Sequence, residues 1–191
     1  MYSFESHIWA DKKREKLLKR TGSDINTICG DQLREFLGLC LDEASCFTFR
    51  RETFDLCDFR LEDALSEYMI EKTSRKLWFG YDLRNAPAGS ERLLDIYIYD
   101  AVPEALDIFL YFFSDIFLRR KVDGVFVDTL GTLTDLCFFA GDELLVGTVS
   151  HAYMLEAYPR NRSFAKSIRK FGKWKHISDR KCILPFNMSM Y

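Results

Sequence analysis

Ser150 and His151 stand side by side after an apolar, β-prone run and are the most enzyme-like neighbours in the chain. A serine nucleophile needs a base within hydrogen-bond reach. Adjacent residues on a strand point to opposite faces, so these two cannot form that dyad with each other. His151 alone has two readings, a general base or a hydrogen-bonded structural histidine. The cysteines at 29, 40, 46, 57, 137 and 182 form no C-x-x-C, and no histidine lies at zinc-ligand spacing from a pair of them. Asp82, Asp95, Asp100, Asp128 and Asp135 fall at expected strand ends and could converge on a cation, although such residues also cap turns and keep edges soluble. The chain has no E-x-K to follow such an aspartate, and no G-x-G-x-x-G, Walker loop or H-E-x-x-H. No cofactor or metal is expected.

The stretch Val125–Asp135, VFVDTLGTLTD, resembles the first motif of the haloacid dehalogenase superfamily, an apolar strand running into D-x-D-G-T-L-x-D. The resemblance implies Asp128 as a nucleophile that also helps to hold Mg²⁺. The second carboxylate of that motif protonates the leaving oxygen and activates water, and here its place is taken by Leu130. The family's later serine or threonine, lysine and acidic pair need more chain than follows Asp135. Gly141-Asp142-Glu143 looks like the acidic pair but leaves no room for a βαβ unit before it. Strand, turn and strand account for the same letters.

The surrounding elements decide where these residues can meet. Ala10–Arg20 predicts a surface helix. Asp31–Ala44 places Leu33, Phe36, Leu37, Cys40, Leu41 and Ala44 on one helical stripe. Cys46–Arg50 alternates as a short strand, and Leu61–Arg75 repeats the helical period. LWFGYDL and LLDIYIYD, joined by a loop with Pro87 and Gly89, predict an antiparallel pair. Val102-Pro103-Glu104 opens an apolar helix to Arg120, which reads as a buried spine and as a crossover towards GVFVD. That apolar run carries Asp107 and Asp115 and is too short to span a bilayer. TDLCFFA and LLVGTVSHAYMLEAY, joined by A-G-D-E, predict a hairpin. Phe164, Ile168 and Phe171, with Trp174 beyond, stripe a basic C-terminal helix. The expectation is a single α+β domain over residues 1–191. It has a helical N-terminal third, then a mostly antiparallel sheet crossed by one buried apolar helix, and a basic C-terminal helix.

Charge is distributed unevenly. The net charge of −2 combines +3 over residues 1–20, −13 over 21–159 and +8 over 160–191. An acidic body steers a basic partner towards itself. The opening residues show no apolar core behind a basic start, which predicts a cytoplasmic protein with six reduced thiols. The function expected is recognition of a basic protein partner, with toxin-neutralising immunity proteins as an analogy of size and charge. Asp42, Glu43, Glu62, Asp63 and Glu67 are the expected binding carboxylates. Two alternatives stay open. One is an enzyme with a site near Asp128 and His151. The other is nucleic-acid binding through residues 160–181, where Phe164, Phe171 and Trp174 alternate with basic residues.

Overall fold

β2 (Cys46–Arg51) is the strand on which the fold is built. Its alternation sends Phe47 and Phe49 to one face and Cys46, Thr48 and Arg50 to the other, and all five are buried. A strand buried on both faces has to be central, and β2 lies between β6 (Leu94–Asp100) and β9 (Leu133–Ala140). The structure is a computed structural model that describes residues 4–7, 27–52, 59–84, 93–128, 131–171 and 174–176. Its main sheet is antiparallel throughout. Six strands run in the order β11 (Met154–Ala157), β10 (Glu143–Val149), β9, β2, β6 and β3 (Met69–Arg75). Short strands β1 (Phe4–His7) and β12 (Lys175–His176) extend it at the β11 edge.

One face carries the helices α1 (Asp31–Glu43), α2 (Arg60–Ala64), α3 (Ala105–Phe112) and α4 (Arg162–Ile168). The stripe of α1 is the expected one, with Leu33, Phe36, Leu37, Cys40 and Leu41 buried. They meet a layer of aromatic rings in which Phe47 stacks on Tyr99 at 5.2 Å. α4 is capped by the Asn161 side chain, which accepts the Phe164 N–H at 2.7 Å. Phe164, Ile168 and Phe171 are buried, and Phe36 of α1 meets Phe171 edge-on and stacks on Trp174.

The opposite face is covered by a small hairpin, β4 (Leu77–Trp78) and β5 (Tyr81–Asp82). Trp78 and Phe79 pack there with Cys46, Ile96, Ile98, Cys137, Phe139, Leu144 and Val149. This hairpin carries Tyr81 into the site described below. Its approach needs a bare backbone at Gly147, where a Cβ would sit 2.7 Å from the Phe79 ring. Gly147→Ala should therefore destabilise the fold by roughly 1–3 kcal/mol through overpacking. Denaturant melts check this, and an unchanged midpoint would mean that Phe79 swings aside freely.

Five expectations need correction. The N-terminal third is not uniformly helical: residues 4–7 form β1, and Ala10–Arg20 lies outside the described residues. Leu61–Arg75 is not one helix. α2 stops at Ala64, a 3₁₀ turn follows at Ser66–Tyr68, and Met69–Arg75 is the edge strand β3. After Met69 the segment IEKTSR has no apolar stripe to bury, and it alternates as an edge strand does.

The apolar helix stops at Phe112, and only its Ala105 and Phe109 are fully buried. Asp115 breaks it: its carboxylate accepts the N–H groups of Phe117 and Arg119 and pairs with the buried Arg119 guanidinium. The chain then turns back as β7 (Arg119–Val122) and β8 (Val125–Asp128), a hairpin apart from the main sheet, so no crossover exists. Its turn, Asp123-Gly124, has φ of 48° and 84°, as a two-residue turn of primed type requires. The expected strand LWFGYDL is the hairpin β4–β5, and β6 pairs with β2 and β3 instead.

Candidate functional site

Arg50 is buried near the end of β2, so its charge has to be met within the fold. The partner is Asp135 on β9. Thr48 lies opposite Cys137 and Arg50 opposite Thr134, so two residues of β9 stand against Phe49 alone. This bulge puts Asp135 at φ 56°, a left-handed conformation uncommon for a residue with a side chain. Arg50 Nε donates to Asp135 Oδ2 at 2.6 Å, and both side chains are nearly inaccessible. A second carboxylate, Glu52, pairs with Arg50 Nη1.

The other Asp135 oxygen, Oδ1, accepts the Ser150 N–H at 2.7 Å. The Asp135 N–H donates to Ser150 Oγ at 3.2 Å. This reciprocal pair ties the bulge to the 3₁₀ turn Ser150–Ala152, which Tyr153 closes at φ 50°. Two left-handed non-glycine residues thus flank one site, a form of backbone strain that clusters where geometry has been set for function.

Tyr81 completes the arrangement. Its ring lies under the Arg50 guanidinium at 4.4 Å, and its hydroxyl donates to Asp135 Oδ2 at 2.8 Å. The same hydroxyl is 3.1 Å from Nδ1 of the exposed His151. A tyrosine has one hydrogen, and the anionic Asp135 oxygen is the stronger acceptor for it. His151 Nδ1 must then be the donor to Tyr81, which leaves Nε2 with its lone pair. Burial first, and Asp135 second, push the Tyr81 hydroxyl well above the ordinary phenol range, so it remains a donor. Burial opposes the Arg50 charge, but Asp135 and Glu52 outweigh it and raise the Arg50 pKa.

These groups line a cavity of about 320 Å³ open to solvent, with Leu83 and Leu94 as its apolar wall and Thr134 beside Asp135. Its contents suit proton transfer at His151 through a chain of hydrogen bonds to a buried carboxylate. Among the described lining residues, Asp135 stands near His151 in the place expected of Asp128. Asp128 ends β8 with its Cα opposite Arg119, in the separate hairpin. Ser150 serves Asp135 through its backbone and hydroxyl. Arg50, Tyr81 and Asp135 were not singled out together from the sequence. The one available signal was an arginine closing the otherwise apolar alternation of CFTFR.

Of the expected binding carboxylates, Asp42 and Glu43 are exposed in the last turn of α1, and Asp63 and Glu67 are exposed around α2. Glu62 differs, because it is half-buried, pairs with Arg51 at 3.1 Å and accepts the Thr132 hydroxyl at 3.2 Å. Cys29, Cys40, Cys46 and Cys137 are free thiols, and Cys57 and Cys182 lie outside the described residues. Burial raises the thiol pKa of Cys40 and pushes that of Cys46 up to about 11, which removes both as thiolate nucleophiles. Among the described residues no cluster of His, Cys, Asp and Glu is arranged to hold a metal, and no helix is long and apolar enough to cross a membrane. No protein-family model matches the chain, and comparison with curated proteins and with solved structures finds no match.

Proposed function

We propose that the protein is a binding domain whose helical layer captures a basic protein partner. The observation that carries this reading is the charge on three of its four helices, α1, α2 and the start of α3; α4 brings the exposed Arg162 and Lys166 instead. Over residues 31–43, 60–67 and 104–107, exposed carboxylates outnumber exposed arginines and lysines eight to two. Asp42 and Glu43 add a second argument. They sit in the last turn of α1, which holds no basic residue and where the helix dipole disfavours negative charge. Carboxylates placed against local stability suit a recognition role. A surface of one sign accelerates encounter with a partner of the other, as neutralisation of a toxin by an immunity-type protein would demand. The basic helix α4 supports the nucleic-acid alternative less well, because Phe164 and Phe171 are spent in the core and cannot stack on bases.

The test is native purification, identification of the co-purifying partner, and kinetics with the purified pair. The partner should be basic. Its association should slow as salt rises from about 0.05 to 0.5 M and the screening length falls from about 14 to 4 Å. Asp42→Asn with Glu43→Gln should lower the on-rate while raising stability by about 0.3–1 kcal/mol per residue, because the dipole penalty is lifted. A salt-independent on-rate, or one untouched by these changes and by Asp63→Asn with Glu67→Gln, would refute the reading.

A second reading, an acid–base enzyme, is favoured by one observation, the hydrogen-bonded chain from His151 through Tyr81 to Asp135.

A further inference from the structure

We infer that the cavity beside β5 is a hydrolytic site in which His151 Nε2 is the general base, and that it takes a small neutral acyl ester. This rests on the second reading above and gives it a substrate class. The base is oriented as such a base must be. Its Nδ1–H is held by Tyr81 Oη, whose own hydrogen is held by Asp135, so Nε2 keeps its lone pair for substrate. Tyr81 and Asp135 are positioning residues. Both are fixed in turn: Tyr81 by the Arg50 guanidinium over its ring, Asp135 by Arg50 Nε and the Ser150 N–H.

Charge and size select the substrate. Among the described lining residues Glu52 and Asp135 stand against Arg50, so with His151 neutral these groups carry one net negative charge. Phosphoesters and carboxylates are disfavoured there, because both carboxylates already engage the one guanidinium. The volume of about 320 Å³ is at the small end for ligand pockets, and Leu83 and Leu94 give a short acyl chain an apolar wall.

The step balances without a cofactor. Nε2 takes a proton from water as the water oxygen bonds to the ester carbonyl carbon, giving a tetrahedral oxyanion and an imidazolium. Collapse re-forms the carbonyl and expels the alkoxide, which takes the proton from Nε2, so that acid and alcohol leave and the imidazole is restored. The imidazolium is stabilised through Tyr81 by the Asp135 charge.

The probe is p-nitrophenyl acetate with the full chain, read beside ¹⁵N NMR of the imidazoles. Only three histidines occur, His7, His151 and His176, so a His151→Gln spectrum assigns the signal. The neutral His151 should be the Nδ1–H tautomer. Turnover should be continuous and fall at least tenfold in His151→Gln. Tyr81→Phe removes one hydroxyl and leaves Asp135 its bonds to Arg50 and Ser150. It should shift the tautomer towards Nε2–H and slow turnover several-fold with an unchanged melting temperature.

Three outcomes overturn the site: no turnover in the wild type, turnover unchanged in His151→Gln, or a single stoichiometric burst of nitrophenolate. Turnover that survives His151→Gln would leave an enzyme with its site elsewhere. Absence of turnover together with an Nε2–H tautomer would remove both the site and the reading beneath it.

Discussion

Asp135→Ala should cost the fold about 3–5 kcal/mol, because it leaves the Arg50 guanidinium buried without its main counter-charge. The value should fall at the lower end of that range, since Glu52 keeps Nη1 paired. Three other groups lose a partner at once: the Tyr81 hydroxyl, the Ser150 N–H, and the bulge whose left-handed residue the carboxylate secures. The loss therefore combines an unpaired charge with unsatisfied donors, each of which costs about 1–3 kcal/mol when it stays dry. A companion variant separates pairing from packing. Arg50→Met with Asp135→Leu removes both charges and fills the space with apolar groups, and it should recover most of the loss, because a well-packed apolar replacement of a buried pair is often neutral or stabilising. Chemical denaturation of the single and double variants forms the cycle. If Asp135→Ala costs less than about 1 kcal/mol, water from the cavity already solvates Arg50 and the pair is no anchor for the site. If the double variant is as unstable as the single one, the bulge and its hydrogen bonds carry the effect.

The pairing of Arg50 with Asp135 shows where sequence reasoning runs out. Local patterns were legible: the stripe of α1, the alternation of β2, the Ala140–Glu143 turn and the aromatic stripe of α4 all depend on neighbours within one element. His151 was visible as a candidate because imidazole chemistry is a property of one residue. Its partners were not, because the site joins residues far apart in the chain, Tyr81 and His151 by 70 positions and Arg50 and Asp135 by 85. The hairpin that carries Tyr81 is set on the sheet by Trp78 and Phe79, which pack on Cys137, Phe139 and Val149 and pass close to Gly147, a long-range fit that single-residue patterns do not reveal. Asp128 drew attention by sitting in a motif-like string, whereas Asp135 in the same string became buried through a bulge that cannot be read from letters. The long apolar run misled in another way. Its hydropathy is continuous from Ala105 to Leu118, so periodicity could not show where helix gives way to an extended, buried segment. Asp115 makes that decision by capturing the backbone N–H groups beyond it.

That correction changes what truncation within the run should do. Phe109→Ala should cost about 3–5 kcal/mol, and Phe112→Ala much less, on the order of 1 kcal/mol. Phe109 has no accessible surface, and its ring meets Phe47 edge-on at 5.1 Å and Phe49 at 6.0 Å. It is the point at which α3 enters the aromatic layer over the centre of the sheet, so alanine there leaves a cavity that rigid strands cannot close. The edge-on ring pairs add about 0.5–1.5 kcal/mol beyond burial alone. Phe112 lies three residues on, half-buried beside the exposed Tyr111, and its truncation empties space that solvent can reach. A helix buried on all sides to Arg120 would instead make both substitutions severe. Urea melts of the two variants discriminate between these pictures by the gap between their midpoints. Equal and large losses would mean that α3 is enclosed on its Phe112 side as well. Equal and small ones would mean that the Phe47–Phe49–Phe109 cluster is not the centre of the core.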